Sequence, residues 1–559
     1  MSTCLCSSRR MATSALTAAV LAGVAALWPA QAAQSAAPRR PALLVTVVVD
    51  QMRAEYLTRY ASLWRGGFKR LLEQGAIYEQ TFYPYLNTVT CAGHATIGTG
   101  AWPKTHGIIM NQWFHRDLGE VRTCTADSST TTYTYGATSG GEGHSAAKLK
   151  VPTLAERMRG RWQQSRVVTM SLKARSGIMM AGRDATSVTW LGGNGWQTSS
   201  AYLRPRPEVA RFLEAQPYTG DIGQVWERLH PAVAYTGADD GVGERPATGW
   251  TAVFPHPLPG TAKGTFKNLW EESPYSDAYL GVMAAAAVRD FRLGQRDVTD
   301  FLGVSFSATD LVGHSFGPDS HEVQDVLARL DRTLGTLLQV LDTTVGRDRY
   351  VLALSADHGV ATVPEAARAA GREAGRVPLG SVRATVDTAL SALGAGPHVA
   401  RAEYTQVYLT RDTRPKATAA TMAPALAAVR ALPGIATAVW NGDLGGANEG
   451  VPPDLLAAIR AGHVPESSGD ITVVPLPGWI LIVGNNPNGG DGTTHGSPHV
   501  YDQHVPLVFL GAPFQPGRYR TPATPADLAP TLAATIGMPM RDVEGRPLTD
   551  AIARRVPAR

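Results

Sequence analysis

Apolar residues along this chain gather into short unbroken runs rather than alternating with polar ones. Residues 43–49 (Leu-Leu-Val-Thr-Val-Val-Val) end in Asp50, and such a run is the pattern of a strand buried on both faces of a parallel sheet. Comparable runs occupy 166–171, 301–307, 350–355 and 479–483, and between them apolar positions recur at helical spacing over 67–74, 152–159, 278–292 and 321–341. Alternating strands and helices predict an α/β fold, a doubly wound, mainly parallel sheet flanked by helices, with its chemistry at the carboxyl ends of the strands. Asp50, Asp310 and Asp357 each fall just after such a strand.

Two stretches break the alternation. The first, about 189–274, is rich in Trp, Pro and Gly, and the second, about 360–478, carries a small β/α pattern of its own. Both read as cap insertions over the active site. Because the chemical candidates lie before, between and after them, one discontinuous catalytic domain over 33–559 is expected rather than domains in series.

Composition narrows this picture. Of 559 residues 44% are hydrophobic, with 57 Gly and 38 Pro; that Gly and Pro content falls below the roughly 25–30% that marks low-complexity chains. Residues 1–32 read as a signal peptide: Arg9 and Arg10, a charge-free run from Met11 to Trp28, then Ala30-Gln31-Ala32 in small-residue cleavage form. The mature chain would start near Ala33 and be periplasmic or secreted, and Ser8-Arg9-Arg10 hints at twin-arginine export. No later run reaches the roughly 18 apolar residues of a membrane span, so none is expected in the mature chain. The formal charge is +5, and losing Arg9 and Arg10 lowers it further, so no nucleic-acid partner is implied. Cys4 and Cys6 leave with the leader; Cys91 and Cys124 remain, either bonded to each other or free.

The candidate chemistry is acidic and imidazole-rich. Asp310 and His314 are four apart, one helical turn, and point to one side. Asp357 and His358 follow a strand and precede Gly359, and His495 follows the glycine-rich segment 488–492. Zinc takes His and carboxylate ligands, and hydrolytic sites often pair two ions. Thr90, in the segment Asn87-Thr-Val-Thr-Cys-Ala-Gly-His-Ala, stands where a helix would begin, either as a plain N-cap or as a hydroxyl in the positive end of the helix dipole, where phosphate is welcome.

Taken in order, Asp50, the Thr90-x-x-Gly-His-Ala segment, Asp310-x-x-x-His314, Asp357-His358-Gly359 and His495-Gly496 resemble the alkaline phosphatase superfamily, and most of all its phosphate-irrepressible periplasmic phosphomonoesterases with a threonine nucleophile. The resemblance implies two Zn2+ per chain, one held by Asp310, His314 and His495, the other by Asp50, Asp357, His358 and the Thr90 oxygen. It implies in-line attack by Thr90 through a phosphothreonine, with Asn111, Lys173 and Arg175 on the phosphoryl oxygens and small-molecule phosphate esters as substrates. Lys173 and Arg175 favour a monoester dianion through charge-assisted contacts. A phosphodiesterase or nucleotide pyrophosphatase on the same bimetallic core is the alternative, and a silent phosphate-binding protein a more distant one. The resemblance gives His94, His106, His321, His499 and His504 no metal. Cys91 begins Cys-Ala-Gly-His-Ala, which lacks the Cys-x-Pro-x-Arg pattern of sulfatases.

Overall fold

The computed structural model describes residues 40–552, apart from 138–139, 194, 203–204, 261–264 and 447–449. The leader over 1–32 and the start near Ala33 lie outside the described residues. Among them no helix is long and apolar enough to cross a membrane.

The runs of apolar residues form the middle of one large mixed sheet. Four strands dominate it: β1 (Leu43–Val49), β2 (Val167–Ser171), β3 (Asp300–Phe306) and β4 (Tyr350–Ser355). Every residue of all four is buried. They lie in the order β4–β1–β3–β2 and pair in parallel, and the strand Ser187–Gly192 continues the parallel set beyond β2. Antiparallel pairing takes over on both flanks, with Leu507–Leu510 on β4 and Gly195–Ser199 on Ser187–Gly192. Helices α1 (Thr90–Thr99), α2 (Ala174–Ala181), α3 (Pro274–Asp290), α4 (Ala308–Phe316) and α5 (His321–Leu341) are the crossovers and covers that position the site. A mixed sheet, parallel through its middle and flanked by helices as the alternation predicts, is what the chain forms.

The two irregular stretches differ in detail from the sequence reading. The strands at 187–192 and 195–199 belong to the central sheet, so the first irregular stretch starts near 200, not 189. In the second, β5 (Val399–Glu403) and β6 (Gln406–Leu409) join Ile471–Pro475 and Ile435–Trp440 in a four-stranded sheet with its own core, which includes Val382, Val386, Met422 and Val429. The run at 479–483, read as a strand of the central sheet, instead forms Trp479–Ile482 and pairs in parallel with Gly375–Pro378 outside it. Its residues alternate between buried and half-buried, as suits a strand covered fully on one face only.

Candidate active site

All four central strands end at one rim of the sheet, and each delivers a polar side chain there. Asp50 follows β1, Lys173 stands two residues past β2, Asp310 lies in the first turn of α4 after β3, and Asp357 and His358 follow β4. His495 arrives from a loop far down the chain. Asp50, Asp310, Asp357 and His358 are almost completely excluded from solvent.

The candidates converge. His314 Nε2 lies 3.3 Å and His495 Nε2 3.7 Å from Asp310 Oδ1, while His358 Nε2 lies 3.4 Å from Asp50 Oδ1 and 3.5 Å from Asp357 Oδ2. Two sets, Asp310 with His358 and His495, and Asp50 with Asp357 and His358, each bring their ligand atoms within 4.8 Å of one another. The histidines are held in one tautomer by the backbone: Nδ1 of His314, His358 and His495 donates to the carbonyls of Thr493, Gly359 and Thr88, each at 2.9 Å. In its neutral form each imidazole therefore turns the Nε2 lone pair toward the carboxylates, the arrangement of imidazoles that ligate metal.

The electrostatics fit a cation. Asp50 Oδ1 and Asp357 Oδ2 are buried without a hydrogen-bond partner, a costly state unless a positive charge faces them. Burial, then the neighbouring Asp310 and Asp357, push the Asp50 carboxyl well up, whereas Lys173 and His314 hold Asp310 well below the ordinary carboxylate range in spite of burial. Burial and then His358 and His314 drive His495 down, while Asp310 outweighs burial to lift His314 to about 9. The donor set of carboxylates and imidazoles is the one zinc takes.

Thr90 Oγ1 stands 3.5 Å from His358 Nε2. Thr90 is the first residue of α1 rather than its cap. Val89 fills the cap position with no side-chain hydrogen bond, so the N-cap role expected from sequence is not its task. The helix can approach the ligands because Gly93 has no side chain: a Cβ there would lie 2.3 Å from the Asp357 carbonyl oxygen.

Asn111 is fixed from several sides. Cys91 N donates to its Oδ1 at 2.7 Å, Cys124 N donates to its backbone oxygen at 2.9 Å, and Cys91 and Cys124 form a disulfide. The pair left open by sequence is thus bonded. Lys173 caps α2 and Arg175 lies in its first turn. Lys173 Nζ donates to Asp50 Oδ2 at 2.6 Å and to Asp310 Oδ2 at 2.5 Å; the ammonium sits between the two ligand sets, where the expectation was phosphoryl contact. Thr90, Asn111, Arg175, Asp310, His314 and His495 all line one cavity of about 350 Å3.

The unassigned histidines have structural partners. His94 Nδ1 donates to the Thr90 carbonyl at 2.8 Å, with Asp357 Oδ2 at 3.2 Å. His106 accepts from Ile108 N, and His499 and His504 donate to backbone carbonyls. Sequence reasoning missed Gln51, whose N–H lies 3.2 Å from Asp357 Oδ1 and whose Nε2 donates to Asp310 Oδ1 at 2.7 Å. It also missed Asp277, which accepts from the N–H groups of Ser307 and Ala308 at the start of α4, and Tyr404, which enters the cavity from the second insertion. A directly neighbouring Asp50 was the only signal for Gln51.

The fold and the site have relatives. The model of the type I phosphodiesterase / nucleotide pyrophosphatase family matches residues 44–499. Alkaline phosphatase PhoV of Synechococcus elongatus is 33% identical over 513 residues, covering 89% of this chain and 90% of the relative. Alkaline phosphatase PafA of Elizabethkingia meningoseptica is 32% identical over 543 residues, covering 92% and 95%. The crystal structure of wild-type PafA matches with a TM-score of 0.85 at 30% identity, over 92% of this chain and 99% of that one. On this likeness in sequence and fold, the chain belongs to the type I phosphodiesterase / nucleotide pyrophosphatase family of the alkaline phosphatase superfamily.

Proposed function

We infer that this protein is an alkaline phosphatase that hydrolyses phosphate monoesters, with Thr90 as nucleophile. The observation that carries the reading is a helix-terminal hydroxyl, Arg175, Asp310, His314 and His495 lining one cavity, with the second carboxylate–imidazole set, Asp50, Asp357 and His358, meeting Thr90 Oγ1 through His358 Nε2 at 3.5 Å. Relatives named alkaline phosphatase over nine-tenths of the chain support it.

Two zinc ions, held by Asp310, His314 and His495 and by Asp50, Asp357, His358 and the Thr90 oxygen, would act when bound as Lewis acids toward the attacking and leaving oxygens. The chain's own groups do the rest. Thr90 Oγ1 attacks phosphorus in line, and its new bond forms as the bond to the leaving alcohol breaks, giving a phosphothreonine. Water attacks from the same side as the departed alcohol, releasing phosphate and restoring the hydroxyl. Asn111, Lys173 and Arg175 hold the non-bridging oxygens through both steps, a matter of positioning and charge. Lys173 also neutralises Asp50 and Asp310. The disulfide beside Thr90 suits the periplasmic or secreted location read from the leader.

The family model carries the name of diesterases, so the monoester preference needs its own test. A monoester and a diester sharing one leaving group are to be compared by kcat/KM on the zinc-loaded enzyme. The expected result is a strong monoester preference that shrinks in Arg175→Ala, since charged contacts are each worth about 1.5–3 kcal/mol. A diester preference in the parent protein would overturn the assignment.

A further inference from the structure

The turn between β5 and β6 places one aromatic residue, Tyr404, in the wall of the catalytic cavity. Its neighbours pin it there. Glu403 accepts from Gln112 Nε2 at 2.7 Å, and Thr405 Oγ1 donates to Asn87 Oδ1 at 2.6 Å. The turn is thereby tied on one side to the residue after Asn111 and on the other to the segment leading into Thr90. Tyr404 itself has φ of +48°, a left-handed conformation that carries a conformational cost and that bulky residues seldom adopt. Glycine or asparagine would relieve that cost, yet a tyrosine is retained.

The phenol has a specific place. Asn111 Oδ1 is committed to the Cys91 N–H, so Nδ2 faces the cavity and donates to Tyr404 Oη at 3.4 Å. Having accepted there, the hydroxyl has one O–H left to give. Burial raises its pKa, with Arg175 acting in the opposite sense and Asp310 adding to the rise. It therefore stays a donor in mildly alkaline solution, within the fields of one phosphoryl-binding cation and one metal-ligand candidate.

We propose that Tyr404 is a specificity-determining residue supplied by the second insertion: its O–H donates to the non-bridging phosphoryl oxygen beside Asn111 and Arg175, and its ring closes the space a second ester substituent would need. The proposal rests on the phosphoryl group binding between Thr90, Asn111 and Arg175. It adds a neutral donor to two cationic ones, and it explains why the turn is anchored at both flanks instead of hanging free over the cavity.

The test uses the zinc-loaded full-length enzyme with paired monoester and diester substrates and with inorganic phosphate as a competitive inhibitor. Tyr404→Phe keeps the ring and removes the donor. Monoester kcat/KM should fall about fivefold, the scale of one neutral hydrogen bond, and the inhibition constant for phosphate should rise by a similar factor. Diester kcat/KM should fall less. Tyr404→Ala should go further and raise the diester-to-monoester ratio by opening the space. In an Asn111→Ala background Tyr404→Phe should still cost activity, because the hydroxyl touches the phosphoryl group itself. Monoester kcat/KM and phosphate inhibition both within twofold of the parent in Tyr404→Phe would overturn the proposal, as would the absence of any further loss in the Asn111→Ala background. Failure of the monoesterase reading shows separately, in the parent enzyme's substrate ratio.

Discussion

The proposed nucleophile, the Thr90 hydroxyl, has no structural duty beside it among the described residues. Its oxygen caps no helix and, among the described residues, its hydrogen-bond contact is His358 Nε2, at 3.5 Å. Thr90→Ala should therefore lower monoester turnover by more than about 10³-fold, as nucleophile deletions do, and change stability by no more than about 1 kcal/mol. Thr90→Ser keeps the hydroxyl and should retain substantial activity. Steady-state kinetics with thermal melts of both variants check this, and an alanine variant at the parent rate would place the nucleophile elsewhere. Lys173 is the opposite case, since it carries two duties. With Nζ on both Asp50 and Asp310, its removal strips the buried Asp50 of its cation, while Asp310 keeps Gln51 and His314, a loss on the scale of 3–5 kcal/mol in protein without metal. For that reason Arg175, with no such pairing to either carboxylate, is the cleaner probe of phosphoryl recognition.

At the scale of elements, the close approach of α1 to the end of β4 sets the distance from Thr90 to Asp357 and His358. Gly93→Ala would put a methyl 2.3 Å from the Asp357 carbonyl oxygen and 2.6 Å from its Cβ, so helix and strand end must part. Alanine is the better helix former by about 1 kcal/mol, yet overpacking costs about 1–3 kcal/mol. The variant should melt lower than the parent and lose about 10²-fold in kcat, the effect of roughly 1 Å of misplacement. Unchanged kcat and melting temperature would mean that the contact yields freely. What sequence could reveal follows from the same geometry. Strands buried on both faces must be apolar throughout, so β1 to β4 and the acids at their ends stood out as runs. The same composition misplaced Trp479–Ile482, because an apolar run does not say which sheet it joins. Leu507–Leu510 is too short to stand out. Gln51 and Tyr404 owe their roles to positive φ, 67° and 48°, and a single residue bent that way leaves no periodic trace.

For the molecule as a whole, stability should depend on pH through groups that do not line the cavity. Glu322, buried on α5, pairs through Oε1 with His256 Nε2 at 2.9 Å, while its Oε2 and that of Glu244 have no hydrogen-bond partner. Burial first, then Glu322, lifts Glu244 to about 8; burial, with Asp239 adding, lifts Glu322 to about 8. Between an unfolded value near 4.5 and about 8 the native protein holds more protons than the unfolded chain, so stability falls as pH rises through that window. Glu244→Gln removes one of the two charges. It should raise stability at pH 9 by on the order of 1 kcal/mol, with the gain vanishing toward pH 5. Melting temperature against pH reads this directly, and a gain independent of pH would show that Glu244 ionises in the ordinary range.

The order β4–β1–β3–β2 sets side by side strands that the chain makes some three hundred residues apart, with Asp50 near one end of synthesis and His495 near the other. On the proposed ligand assignment, no stretch that ends before His495 holds both metal sites. A copy cut short there would keep Thr90 and lack a ligand, so under that assignment phosphate-ester turnover would begin only once translation has passed His495.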